Sequence, residues 1–445
     1  MQAMLRPRRA LALALVLSFA ATGAAVSGCF GDDLTYDPVE GGAGEGGKPD
    51  VAQPPPDGGA PTDSGFEVAQ RLLLTQSVGA KGQLVAFDMA GGMTAGSLEF
   101  GGFGTAQGTS AGPFLIESQQ DLVARLDPAQ PWNVKSSWAL KLDDAFDGGE
   151  PYADPIQVVV TGPSKAYVLR YNRNRIAVID PSKDVEAGAP TKTIDLSSLL
   201  QNGDGDGHVD MSGAIYDPVR KRLYVALANI DLHNVDPMGF FQLCGTTKST
   251  LVAIDTTTDA LVSLGGTGPG GGVALSGMSP QLSAFGGVAF DAAGDRVIVM
   301  STGCNDKLGD GGTGPLRGRV IEAVSLSSNT TQTLLDANAQ DFPGQLVFVS
   351  PTQAVVQFGF AGFGAKVYLW DPSQPTLGAP LAVAPDVFDY DKKGALVGAG
   401  HADGGAGPLQ VLRVGIGAPD AGAAVLGTDP FGKKGDFLGN AALWP

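Results

Sequence analysis

The sequence predicts an all-β domain, a seven-bladed β-propeller, and three observations lead there. The chain carries 65 Gly and 30 Pro with only 17% charged residues, and no long stretch shows the periodicity of an amphipathic helix. Short runs of Val, Ile, Leu, Tyr and Phe stand between turn residues instead. Those runs come in pairs that recur along the chain.

Residues 1–28 read as an export signal. Arg6, Arg8 and Arg9 make the start positive, Ala10 to Ala20 is almost wholly apolar, and small residues follow. A membrane span needs about 20 apolar residues, so this core is too short for one. Val26-Ser27-Gly28-Cys29 resembles the bacterial lipobox, in which cleavage precedes a lipidated cysteine. That resemblance makes Cys29 the mature N-terminus, and each acyl CH2 buried in a membrane contributes about 0.8 kcal/mol to the anchor. Phe30 rather than Asp follows, which in the Gram-negative sorting pattern directs the protein to the outer membrane. Either the periplasmic or the outer side fits this address.

Residues 29–65 form the tether. Asp32 to Gly65 is rich in Gly, Pro and acidic residues and cannot bury enough surface to repay the ordering of its backbone. The full chain is at −17, and loss of the signal-peptide arginines makes the mature protein more acidic still. No basic patch or arginine-rich run follows, so nucleic acid is not an expected partner. The membrane is reached through lipid alone.

The remaining residues, 66–445, form one β-domain. One repeated run is apolar and usually ends in Asp: Leu84–Asp88, Leu122–Asp127, Ile176–Asp180, Leu251–Asp255 and Val367–Asp371, with weaker copies at Val320–Val324 and Leu409–Val414. Each is preceded by a second run, starting at Leu72, Phe114, Ala166, Leu223, Val297, Ala354 and Ala395, which makes seven pairs. A small sheet with two apolar faces cannot stand alone; stacking such sheets in a ring buries both faces. The aspartate fits a turn, because its side chain bonds nearby backbone. Uneven spacing places insertions in the middle blades. Six or eight blades, or two β-sandwiches, fit the same runs less well.

Arg222–Ala226 followed by Leu251–Thr256 resembles the repeat of YncE-like seven-bladed propellers, and Tyr167–Leu169 with Ile176–Asp180 is a second copy. The similarity spans roughly residues 66–430 and is sharpest from about 155 to 300. That broad group contains exported bacterial proteins, some of them enzymes, so the resemblance implies a fold without implying a reaction.

One loop has the oxygen pattern of a calcium site. In Asn202-Gly203-Asp204-Gly205-Asp206-Gly207-His208-Val209-Asp210, oxygen ligands stand at positions 1, 3 and 5 and Gly at position 6. Asn202, Asp204 and Asp206 would bind through side chains, His208 through its carbonyl, and Asp210 directly or through water. Position 12 is Gly213 rather than Glu, so a bidentate ligand must come from elsewhere. The ion would be structural, and the alternative is an acidic turn that binds nothing. With Cys29 lipidated, Cys244 and Cys304 remain, and export favours a disulfide between them.

Catalytic signals are thin. The three histidines, His208, His233 and His401, are far apart in sequence, and the last two are expected in exposed loops. No His-Glu-x-x-His pair and no complete phosphate-binding Walker loop occurs; Gly266–Gly272 is expected as a flexible connection. Trp132, Trp138, Trp370 and Trp444 are unevenly spaced, as packing residues would be. The expected function is a monomeric, non-catalytic binding or scaffold propeller for an envelope protein or glycan. A lactonase-like or other hydrolytic enzyme working in the central channel, and a structural envelope component, are the alternatives.

Overall fold

The computed structural model describes residues 71–444, apart from 79–80, 141–151, 204, 236–241, 283–285, 292–293, 309–312, 351, 360–364, 402–407, 418–422 and 432–436. The export signal, Cys29 and the tether lie outside the described residues.

Seven antiparallel sheets form the seven blades of a propeller. Counted from the axis outward, blade 2 is Gly104–Thr109, Gly112–Glu117, Leu122–Leu126 and Val134–Ala139. Blade 3 is Pro155–Gly162, Lys165–Arg170, Arg175–Ile179 and Lys192–Asp195, and blade 4 is Met211–Asp217, Arg222–Leu227, Thr250–Asp255 and Ala260–Val262. Blade 5 comprises Val288–Asp291, Arg296–Met300, Val320–Ser325 and Thr331–Asp336. Blade 6 has three strands, Pro343–Ser350, Gln353–Phe358 and Lys366–Trp370. Its outer edge is covered at Tyr368 by Pro380. Blade 7 is Val387–Tyr390, Ala395–His401, Leu409–Gly415 and Ala423–Thr428.

Blade 1 is shared by the two ends of the described chain. Arg71–Val78, Lys81–Asp88 and Met93–Gly101 are its outer strands, and Phe437–Trp444 is the innermost, pairing antiparallel with Arg71–Val78. The C-terminal strand therefore closes the ring.

Every run identified from sequence falls in the second or third strand of a blade, all seven pairs included. These strands read as continuous apolar runs because both of their faces are covered by neighbouring blades. Leu223, Val225 and Leu227 pack towards blade 3, while Tyr224 and Ala226 pack towards blade 5. In a strand successive side chains point to opposite faces, so each second strand feeds two interfaces. The core accordingly divides into seven clusters, one at each blade–blade interface.

Polar side chains of the innermost strands add a second tie between blades. Asn440 of blade 1 accepts the amide of Ala106 at 2.8 Å and donates to its carbonyl at 2.6 Å. Gln157 of blade 3 accepts the amide of Ala214 at 2.7 Å and donates to the carbonyl of the same residue at 2.9 Å. Gln107 accepts the Val158 amide, and Gln345 donates to the Phe388 carbonyl. Each of these bonds runs to the innermost strand of the next blade, mimicking a strand–strand ladder across the gap.

Candidate functional site at the loop-bearing end

A four-stranded meander starts and ends at the same end of its sheet. The connections between blades, and those from second to third strand, therefore share one end of the ring. The longest insertions lie there, including residues 196–210, 228–249, 263–287 and 301–319, while the connection 180–191 of blade 3 stands at the opposite end.

The opposite end carries mostly shorter connections that open with aspartates bonded to nearby backbone, as the repeat predicts. Asp88 accepts the amides of Ala90 and Gly91, Asp180 that of Ser182, Asp255 those of Thr257 and Thr258, and Asp371 that of Ser373. These amide bonds hold the carboxyls of Asp255 and Asp371 below the usual carboxylate range. Arg71, the first described residue, also sits at this end, opposite Trp444.

The calcium-like loop joins blades 3 and 4 at the loop-bearing end. Asn202 is exposed, and Asp204 lies outside the described residues. Gly203 and Gly207 adopt φ of 99° and 77°, which is the curl that glycine permits. Asp206 accepts the amide of His208 at 2.9 Å and that of Leu232 at 2.8 Å. His208 is 1% exposed, and buried Asp210 accepts the amide of Ile230 at 2.9 Å. The described part of the loop is thus zipped to residues 230–232 by carboxylate–amide bonds. Asp231 lies alongside, its carboxylate against Gly205, where a Cβ would come within 2.4 Å of an oxygen. Among the described residues, no group of three or more His, Cys, Asp and Glu is placed to hold a metal ion.

Next to this loop, Cys244 and Cys304 form a disulfide across 60 residues, with Cα atoms 5.1 Å apart. Backbone bonds reinforce it: Cys244 donates to Asn305, and Asn305 to Gln242, at 2.9 Å each. A hairpin inserted in blade 5, Cys304–Lys307 paired with Thr313–Arg317, continues the small sheet. The insertions of blades 4 and 5 therefore form one bridged crest.

The other titratable groups of this end are dispersed. His233 is exposed, as expected, with 60% of its side chain accessible. His401 departs from expectation: it ends a strand of blade 7, with 27% of its side chain accessible, and its Nδ1 lies 3.0 Å from Asp386 Oδ2. An acidic residue more than a dozen positions away in sequence orients it, which no local motif announces. Glu117, at the loop end of blade 2, has its carboxyl pushed up to about 7 by burial, against the opposing effect of the Gly101 amide.

Other sequence features prove structural. Gly108–Gly112 reads Gly-x-Ser-x-Gly, but it occupies the tight turn between two strands of blade 2 and lacks the strand-to-helix elbow of a hydrolase. Gly266–Gly272 is a compact turn closed by bonds from Leu264 and Gly266 to the Gly271 carbonyl, rather than a flexible connection. Trp138 and Trp370 are buried, and Trp132 and Trp444 pack against the blade 1–blade 2 cluster.

Solved structures share this fold. A proposed 6-phosphogluconolactonase of Bacteroides uniformis aligns over 84% of this chain and 100% of its own, at 10% identity and a TM-score of 0.51. A second, from Bacteroides fragilis, aligns over 86% and 99%, at 12% identity and a TM-score of 0.51. A chain of the hydrazine synthase of Kuenenia stuttgartiensis aligns over 80% and 99%, at 12% identity and a TM-score of 0.50. No family model and no curated protein matches the chain. The protein is a seven-bladed β-propeller, and the likeness extends to the fold alone.

Proposed function

We propose that this is an exported bacterial lipoprotein whose propeller presents its loop-bearing end as a non-catalytic binding surface for an envelope protein or glycan. The observation that carries this reading is the segregation of the two ends. The longest insertions stand at one end, and two of them are locked together by Cys244–Cys304. The described chain begins at the other, where Arg71 pairs with Trp444. Binding residues concentrate on loops held by a rigid scaffold, and the seven-cluster ring is such a scaffold.

A hydrolytic enzyme is the second reading, and the His401–Asp386 pair favours it, since a carboxylate on Nδ1 orients an imidazole for proton transfer. Co-sedimentation of the full-length protein with isolated envelope membranes and with purified envelope glycan separates the two. Binding lost on deleting residues 305–316, but kept when Val219 of the short-turn end becomes Asp, supports the binding surface. Undiminished binding without the hairpin, or ester hydrolysis abolished by His401→Gln, turns the assignment. The address is tested by labelled palmitate, whose incorporation should vanish in Cys29→Ser.

A further inference from the structure

We propose that Arg319 forms an oxyanion-binding site at the loop-bearing end, between blades 5 and 6, that takes a carboxylate or phosphoryl group of a ligand. The inference deepens the binding-surface reading, because it names the chemistry that part of this surface recognises.

Arg319 stands just before Val320–Ser325, the third strand of blade 5. Its Nε donates to the Thr302 carbonyl at 2.9 Å and its Nη1 to the Gln340 carbonyl at 2.6 Å. The guanidinium carbon lies 5.9 Å from the centre of the Phe342 ring, and the backbone amide is held by Asn338 Oδ1 at 3.1 Å. The group is therefore fixed at two of its three nitrogens by carbonyls and on one face by an aromatic ring. Among the described residues Nη2 has no hydrogen-bond partner, and Arg319 as a whole is partly exposed.

Among the described residues, no carboxylate lies within ion-pair distance of Arg319, in a chain whose net charge is −17. The contrast is local: Arg317, two residues earlier, has Asp306 at 2.7 Å. Asp341 attracts the Arg319 charge without forming a contact pair, and burial pulls the guanidinium down to about 10. A structural arginine of this kind would be expected to find a carboxylate, because carbonyls alone leave its charge uncompensated. A guanidinium immobilised at two nitrogens, with Nη2 left over, is instead an arrangement that offers an N–H donor and a positive charge to a carboxylate or phosphate oxygen at low ordering cost.

The position also fits a ligand seat. Phe342 immediately precedes Pro343, the first residue of the innermost strand of blade 6, and Thr302 lies in the blade 5 insertion beyond Met300. Arg319 thus joins the disulfide-locked crest to the rim of the channel.

The test is isothermal titration of the full-length protein with inorganic phosphate and with acetate, in chloride at constant ionic strength. We expect saturable binding of at least one anion, weakened tenfold or more in Arg319→Gln and less in Arg319→Lys. Stronger phosphate binding identifies a phosphoryl ligand, and stronger acetate binding a carboxylate. Absence of saturable binding, or equal affinity in Arg319→Gln, overturns the site. Should Arg319→Gln fail to fold, phenylglyoxal modification of the wild-type protein decides. The better-binding anion should slow adduct formation at Arg319 several-fold while leaving Arg317 unchanged; equal rates overturn the proposal. Loss of envelope binding with anion binding intact would break the binding-surface reading and leave this site standing.

Discussion

Asp389 Oδ2 accepts the backbone amide of Leu443 at 2.8 Å and so ties blade 7 to the strand that closes the ring. Its counterparts elsewhere are amides: Asn440 and Gln157 each take both the N–H and the C=O of one residue in the next blade. A carboxylate can only accept. Burial raises the Asp389 pKa, more than the Leu443 and Tyr390 amides lower it. The folded protein therefore holds this proton more tightly than the unfolded chain. Stability from this group is full below the ordinary carboxyl range and is lost as pH rises towards the folded pKa. Asp389→Asn should be more stable than wild type at pH 8, with the advantage gone at pH 4. Thermal melts across that range check it, and a variant less stable at pH 8 would refute it.

Glu117 behaves in the same sense with a bounded window. Its carboxyl rises from 4.5 to about 7. Wild-type stability should fall by roughly 3 kcal/mol between those pH values on account of this residue. Glu117→Gln should remove that slope while leaving the contribution of Asp389. The measurement is the difference in denaturant midpoint between variant and wild type at pH 4.5 and pH 7.5. An unchanged difference would mean that the carboxyl is solvated in solution.

Closure predicts a large effect from one polar residue. Asn440 pairs with both backbone groups of Ala106, and its own amide donates to Thr75 Oγ1 at 3.0 Å. Asn440→Ala keeps the backbone bond but leaves the buried Ala106 N–H and C=O unpaired, at about 1–3 kcal/mol each, and so should cost at least 2 kcal/mol. Asn440→Asp should be damaging at neutral pH and partly recovered in acid. Urea unfolding followed by tryptophan fluorescence reads both.

What the sequence revealed, and what it hid, follows from burial. Lys165–Arg170 and Arg222–Leu227 are buried along nearly their whole length, so they stand out as apolar runs. The innermost strand Gly104–Thr109, GTAQGT, makes its interblade bond through Gln107, and its polar residues conceal it. The outermost strand Ala423–Thr428 is half exposed and carries no strong pattern. Phe437–Trp444 was obscured further, because a closing strand is separated from the rest of its blade by the whole ring. At the loop end, Asn202–Asp210 showed its oxygen pattern openly. The Asp206–Leu232 and Asp210–Ile230 bonds that zip it shut depend on a second loop no local reading reaches. Arg319 gave no signal, since its partners are carbonyls and a ring supplied by distant segments.

Calcium is expected to act on this zipped loop as a stabiliser. A ligand binding only the folded state at a hundredfold excess over its dissociation constant adds about 2.7 kcal/mol. Calcium added to chelator-treated protein should raise the melting temperature by several degrees, magnesium by less, and Asp204→Asn should cancel the gain. An identical melt with and without calcium would leave the loop held by its carboxylate–amide bonds alone.

The disulfide should govern the crest more than the ring. Closing a loop of 60 residues is worth up to about 4 kcal/mol when the whole chain unfolds as one unit. The bridged segments, however, are insertions, and the blade 4–blade 5 interface is sealed separately by Tyr224, Leu251, Val297 and their neighbours. That cluster survives when the crest opens, so loss of the bridge is felt first as local opening. Cys244→Ser/Cys304→Ser should lower the melting temperature by less than the full entropic value implies. Protease cleavage should meanwhile rise sharply within 228–249 and 301–319, with the remaining blades still resistant. Cleavage distributed evenly around the ring would instead show that the crest and the propeller unfold together.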